Sequence, residues 1–310
     1  MSMIRNMGTF KKMGIPMLPP EVCLFGTPYF IDDDNGSDSQ DGLAPNKGFA
    51  TIQKGIDIAG KHDTIYLKPR EIDLSTHSSH GYFTGSNIIP TGMQGLAIIG
   101  TAHGSGIGMA AQVMVEPDSG STDNTFIVRS PGVSFENIGI KAVTGSGGAI
   151  YAHVSTGQAY GMTISNCFFK DFQGADVPSG SINLQTTHWV TIEHCLFKEC
   201  GVAISLGSEI AATRAATIRN CDFIGVNTTW SQPIRLGACT GLIIDKCNFA
   251  FNIPTGGTRN FYIDQLGTSG DGIVSNCNFA DTEQDVTVLM TLVGTTLQSN
   301  CWSDGTAAIT

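Results

Sequence analysis

The chain has 310 residues, a formal net charge of −10, only 14% charged residues and 38 glycines. An acidic chain without a basic patch does not suit nucleic acid, and no apolar run approaches the 18 residues that a membrane-inserted helix needs. The first dozen residues mix basic and apolar side chains and lack the continuous apolar stretch of an export signal, so the expectation is a protein made in the cytoplasm without a signal peptide.

In chain order, residues 1–28 come first and show no usable periodicity. They carry Arg5, Phe10, Lys11 and Lys12 together with Pro16, Pro19 and Pro20. They are expected to form an arm for assembly or attachment, packed on a neighbouring subunit or a larger particle. Residues 29–70 follow as an opening strand, a loop with five Asp between positions 32 and 41, and a short helix. The loop reads as an Asx-rich turn. A calcium site is the alternative reading, but the spacing and terminal Glu of an EF-hand loop are missing. Ile52, Ile56 and Ala59 have helical spacing within 51–59, and residues 63–67 return to a strand.

From residue 71 to 310 the chain is governed by a repeat. A heptapeptide appears as Thr163-Ile-Ser-Asn-Cys167-Phe-Phe169 and returns at 191–197, 217–223, 243–249 and 273–279, with a worn copy ending in Cys301 and Trp302. Successive Cys positions are 28, 26, 26, 30 and 24 residues apart. A period in this range marks stacked units that cannot bury their apolar faces alone. Cys and Phe lie two apart and share a strand face. The three-residue step from Ile to Cys breaks the alternation and calls for a two-residue corner, with Asn166, Asn220, Asn276 and Asn300 at its second position, because Asn enters the left-handed region readily. A further short strand precedes each heptapeptide, at 150–152, 182–184, 204–206, 234–236, 262–264 and 288–290. Earlier copies are legible at Val133–Ile140 and Gly95–Ile99. The fold predicted is all-β: a right-handed, single-stranded parallel β-helix with three strands per coil, about 7–9 coils and a short N-terminal capping helix. Phe169, Phe197, Phe223, Phe249 and Phe279 should then form an internal ladder.

Six of the nine Cys fall in one column of that stack. Parallel side chains on neighbouring coils hold Cβ atoms about 4.8 Å apart, beyond the usual disulfide range. The column is therefore read as reduced, buried thiols. With no CxxC pair and with spacings this long, no metal site is read from them.

The segment Tyr29-Phe-Ile-Asp-Asp-Asp-Asn-Gly-Ser-Asp38, then Pro45, Phe49–Asp57 and Asp63–Pro69, resembles the opening of pectate-lyase-like β-helix proteins, in which a strand, an Asp/Asn-Gly-Ser-Asp loop and a short helix close the end of the solenoid. The resemblance extends over nearly the whole chain after residue 28. It implies the fold and leaves function open, because the family holds lyases, hydrolases, phage tailspikes and structural proteins. It also implies where chemistry would sit: on the outward face of the strand before the heptapeptide, flanked by the variable loops at 170–181, 198–203, 224–233, 250–261 and 280–287.

The outward residues there are Tyr151, Asn183, Ser205, Arg235 and either Tyr262 or Asp264. Hydrolysis of a glycoside needs two carboxylates, and this column offers at most Asp264, so the catalytic candidates reduce to Arg235 and Asp264. The family's Gly-His-Gly and Arg-Ile-Lys motifs are absent. Trp230, Arg235 and Tyr262 are candidates for stacking on or binding a glycan. The column Glu193, Arg219, Asp245 reads as a surface ion-pair ladder. The functional reading is a bacteriophage virion structural protein, a tail fibre, spike or head-decoration component. It would be a homotrimer bound to other virion proteins through the arm, with host-surface polysaccharide as a further partner. Neither nucleic acid nor membrane insertion is expected, and no cofactor beyond the calcium alternative. The competing reading is a polysaccharide lyase or glycoside hydrolase of the same superfamily.

Overall fold

Short β-branched and aromatic runs separated by single left-handed residues can only zigzag around a closed cross-section, and the chain does so. The computed structural model describes residues 26–69, 81–101, 113–117, 124–142, 147–152, 159–172, 180–185, 187–207, 213–226, 233–252, 263–265, 270–281, 290–291, 295–299, 301–303 and 307–309. The arm residues Arg5, Phe10, Lys11 and Lys12 lie outside them, as do Asn300, Trp230 and Tyr262. Three sheets run along the stack, with eleven, eight and ten strands among the described residues. Sheet 1 collects the first strand of each heptapeptide, from Pro28–Ile31 to Thr295–Ser299. Sheet 2 collects the second, from Gly81–Thr84 to Cys301–Ser303. Sheet 3 collects the preceding short strand, from Asn87–Ile89 to Met290–Thr291. Pairing is parallel throughout these ladders, and among the described residues the one antiparallel partner is Ala307–Ile309 on Cys301–Ser303. The fold is the predicted parallel β-solenoid, but the coil count differs from the predicted 7–9, since ten strands pair in sequence along sheet 1.

The corner between sheets 1 and 2 has two residues, as predicted, but lies one residue later: Ser165 is still in its strand, and Asn166, at φ 53°, and Cys167 separate it from the strand that starts at Phe168. Asn137, Asn220 and Asn276 take the place of Asn166 at φ 51–56°, but His194 and Lys246 occupy the same corner at φ 54° and 53°. Each corner N–H donates to a carbonyl of the next coil, for example Asn166 to Glu193 at 3.1 Å and Asn220 to Asp245 at 3.1 Å. The shared ladder bond holds the left-handed residue in place, so Asn is favoured there without being required.

Inside, Ile164, Ile192, Ile218 and Ile244 are fully buried in register, and the Cys and Phe columns stand beside them. The five Phe rings stack with centroids 4.7–4.9 Å apart and interplanar angles of 4–9°. The six ladder thiols, with Cys200 and Cys239, are buried and free. Each Sγ donates to backbone carbonyls, as Cys195 does to Glu193 at 3.3 Å and to Ile164 of the preceding coil at 3.6 Å. Cys23 lies outside the described residues.

The helix α1, Ile52–Ile58, closes the N-terminal end with Ile52, Gly55 and Ile56 turned inward. Thr51 caps it by accepting from the Lys54 N–H at 3.3 Å, and Asp38 braces the cap by accepting from Ala50 N, Thr51 N and Thr51 Oγ1 at 2.8–3.0 Å. Asp32 accepts from Asn35 N and pairs with Lys68 at 2.5 Å, while Asp41 accepts from Leu43 N. Asp32, Asp38 and Asp41 thus each accept from backbone N–H groups, as in an Asx-rich turn. Gln53 reaches from the helix to the edge of sheet 3. Its Oε1 accepts from Ile88 N at 2.7 Å, and its Nε2 donates to Ile88 O at 3.4 Å. One side-chain amide thereby stands in for a missing strand. Gln53→Ala should cost about 1 kcal/mol and speed hydrogen exchange at the Ile88 amide. Unchanged protection of that amide would show that the edge is held some other way.

Candidate functional site

A three-residue strand with its ends turned inward presents one side chain outward. In sheet 3 the inward pairs are Ile150 and Ala152, Ile182 and Leu184, Ile204 and Leu206, and Ile234 and Leu236, all at 0% exposure. The outward residues pair in sequence, Tyr151 with Asn183, Asn183 with Ser205 and Ser205 with Arg235, and the backbone register sets Asp264 beside Arg235. The register therefore chooses Asp264 over Tyr262 for this row. It brings Arg235 and Asp264 onto neighbouring rungs, about 4.8 Å apart along the stack.

The row is less open than an outward column should be. Asn183 is 2% exposed and Ser205 7%, whereas Tyr151 and Arg235 are half-buried. Gly180 lies against Ser205, where even a methyl group would sit 3.5 Å from the Ser205 Cβ. Burial pushes the Tyr151 phenol up. Of the described side chains in the row, the amide and the hydroxyl are buried, and the Tyr151 phenol and the Arg235 guanidinium reach the surface. Asp264 is placed on the row by its backbone register alone.

The second charged column also differs from its expected form. Arg219 clasps Glu193, with Nε and Nη2 at 2.6 and 2.5 Å from Oε2. Asp245 instead accepts from Ser275 Oγ at 2.8 Å and Asn276 Nδ2 at 2.7 Å. Burial pushes its carboxyl up, but these hydrogen bonds and the charges of Lys246 and Arg219 outweigh it, leaving the group below the usual carboxylate range. The column is a structural ladder in which Asp245 binds the next coil rather than Arg219.

A third feature escaped the sequence reading. The corner entering sheet 1 repeats as Gly95, Gly132, Gly161, Trp189, Ala215 and Gly241, all with φ between 53° and 71°. A bulky residue at positive φ is an outlier and costs on the order of 1–3 kcal/mol. Burial does not offset that cost, because Trp189 is 65% exposed. Beside it, Tyr160 and His188 stack at 4.7 Å and 9°. The indole stands nearly perpendicular to both, at 85° and 79°. The sequence signal was present, since aligning the repeats two residues before the heptapeptide sets a lone Trp among Gly161, Ala215, Gly241 and Asp271.

No protein-family model and no curated protein sequence matches the chain. Solved structures do resemble it. The pectin methylesterase from Aspergillus niger in deglycosylated form has a TM-score of 0.51 at 16% identity, covering 92% of this chain and 88% of that one. The pectin methylesterase from carrot has a TM-score of 0.49 at 10% identity, covering 90% and 83%. ORF18 of Geobacillus virus E2 has 0.43 at 10% identity, covering 81% and 57%. At such identities the likeness speaks to fold alone. With its three parallel sheets, inward Phe and Cys columns and capping helix, the chain is a parallel β-solenoid of the pectate-lyase-like fold.

Proposed function

We propose that this chain is a structural component of a bacteriophage virion, a tail fibre, spike or head-decoration protein, working as a homotrimer. The observation that carries this reading is the thiol column. Eight cysteines are buried and free, six of them one above another in the core. Reduced thiols in such number suit a protein that folds and stays reduced in a cytoplasm, where virion parts are built, better than an exported enzyme. Self-association has a starting point on sheet 1, where the outward Thr163, Thr191 and Thr217 give way on the following rungs to Ile243 and Ile273, 42% and 43% exposed.

A second reading, a carbohydrate-active enzyme, is favoured by one observation, the adjacency of Arg235 and Asp264 on the outward row. Immuno-electron microscopy of particles from a lysate of the source culture separates the two. Label on heads or tails, a trimer by sedimentation equilibrium and no product from a panel of pectins and capsular polysaccharides are the expected results. Label confined to the soluble fraction, or release of methanol, new reducing ends or unsaturated products, would overturn the virion reading in favour of the enzyme.

A further inference from the structure

We propose that the corner formed by Tyr160, His188 and Trp189 is a carbohydrate-binding site that takes one hexopyranose ring against the indole face. The site lies at the turn entering sheet 1, away from the outward row of sheet 3, and it stands whether the chain is a virion part or an enzyme.

The argument starts with what surrounds the indole. Corner residues on successive coils are tied by ladder bonds: Gly132 N to Tyr160 O at 2.6 Å, Gly161 N to His188 O at 2.8 Å, Trp189 N to Arg214 O at 2.9 Å and Ala215 N to Thr240 O at 2.7 Å. Trp189 is thus flanked by Gly161 and Gly132 on one side and by Ala215 and Gly241 on the other. Gly161 itself faces open space, because a methyl group there would meet nothing closer than Gly132 N at 4.0 Å. A single large ring therefore rises from a floor of backbone.

The walls match a sugar rather than an aliphatic partner. A pyranose has apolar C–H faces that lie on aromatic faces and a rim of hydroxyls that need donors and acceptors. Trp189 supplies the face. The His188 Nδ1 lies 2.9 Å from the Thr187 carbonyl, which can only accept, so Nδ1 donates there and Nε2 is the ring nitrogen left to meet a sugar hydroxyl. The Tyr160 ring backs His188 and fixes its plane. Exposed Arg214 stands on the coil beyond, bridged in register to His188, and supplies a charged donor. A stable protein partner would need about 800 Å² of contact on each side, whereas a single standing ring among glycines suits one sugar unit. The ladder bond to Arg214 holds Trp189 in its left-handed conformation, and residues in such conformations cluster where a surface binds.

The test is isothermal titration of the full chain with cellohexaose, maltohexaose and an α-1,4-linked hexagalacturonate, the last probing whether Arg214 selects an acid. At least one should bind, with one sugar site per chain. Trp189→Gly restores the residue found on neighbouring coils, so it should keep the far-UV circular dichroism of the parent while weakening binding by at least about tenfold. Tyr160→Ala should weaken it as well, and Leu43→Ala, exposed on the distant Asp loop, should leave it unchanged. If none of the three saccharides binds the parent, or Trp189→Gly binds as the parent does, the site is refuted. Neither outcome bears on particle labelling, which tests the virion reading separately.

Discussion

Phe223→Ala should lower the free energy of unfolding by about 3–5 kcal/mol, measured by urea denaturation. Phe223 is stacked on both sides, against Phe197 at 4.9 Å and Phe249 at 4.7 Å, and is 1% exposed. The cavity left behind cannot collapse. The rungs above and below are held at their spacing by ladder bonds across all three sheets, so no element can settle into the gap. Truncation also removes two ring stacks, each worth about 0.5–1.5 kcal/mol beyond area burial. Phe169→Ala, near the other end of this column, removes one such stack and should cost less. A loss below about 1 kcal/mol for Phe223→Ala would mean that the column does not hold the stack together.

Stability should fall steeply above pH 9. Burial pushes the Cys200 thiol up to about 12 and the Cys239 thiol likewise to about 12, against an ordinary value of 9.0. The sign follows from proton counting. Between pH 9 and 12 the folded chain keeps protons that the unfolded chain has lost, so stability decreases as pH rises. Their contribution is fully present below pH 9 and is lost as pH climbs towards 12. At 1.36 kcal/mol per pH unit for each group, the two thiols together remove on the order of 4 kcal/mol by pH 10.5. Tyr82 acts in the same direction, since burial and then the Asp32 and Asp33 carboxylates push its phenol well up, with its hydroxyl donating to the Ile31 and Lys68 carbonyls. Urea midpoints at pH 8 and pH 10.5 measure the drop. The Cys200→Val, Cys239→Val double variant should show a shallower slope, and equal midpoints at the two pH values in the parent would refute the account.

What the sequence revealed and what it hid follow from the same geometry. Phe and Cys recur at fixed places because each must fill an identical inward pocket on every rung, so their period is visible as text. The corner at Asn166 was legible because Asn tolerates positive φ, but His194 and Lys246 fill the same corner with residues that carry no such signature. There the bond to the neighbouring coil, invisible in one-dimensional spacing, does the work. Asn183 and Ser205 were placed correctly on the outward row, yet their burial depends on what lies over the strand rather than on the strand itself. Trp189 was missed because a residue paying a backbone cost looks, in sequence, like any other loop aromatic. Arg235 and Asp264 were named as candidates before their rungs were known, and the register makes them neighbours without giving them a reaction.

The antiparallel strand Ala307–Ile309 on the last rung of sheet 2 has a consequence for growth. A parallel solenoid could in principle lengthen by adding copies end to end, each new rung copying the direction of the one below. Here the terminal rung of sheet 2 is already matched by a strand of opposite sense, so the next parallel rung finds the wrong hydrogen-bonding pattern. At the opposite end the Gln53 amide occupies the Ile88 edge. A copy added along the axis would have to displace one of these two contacts before it could pair at the last rung of sheet 2 or at the Ile88 edge of sheet 3.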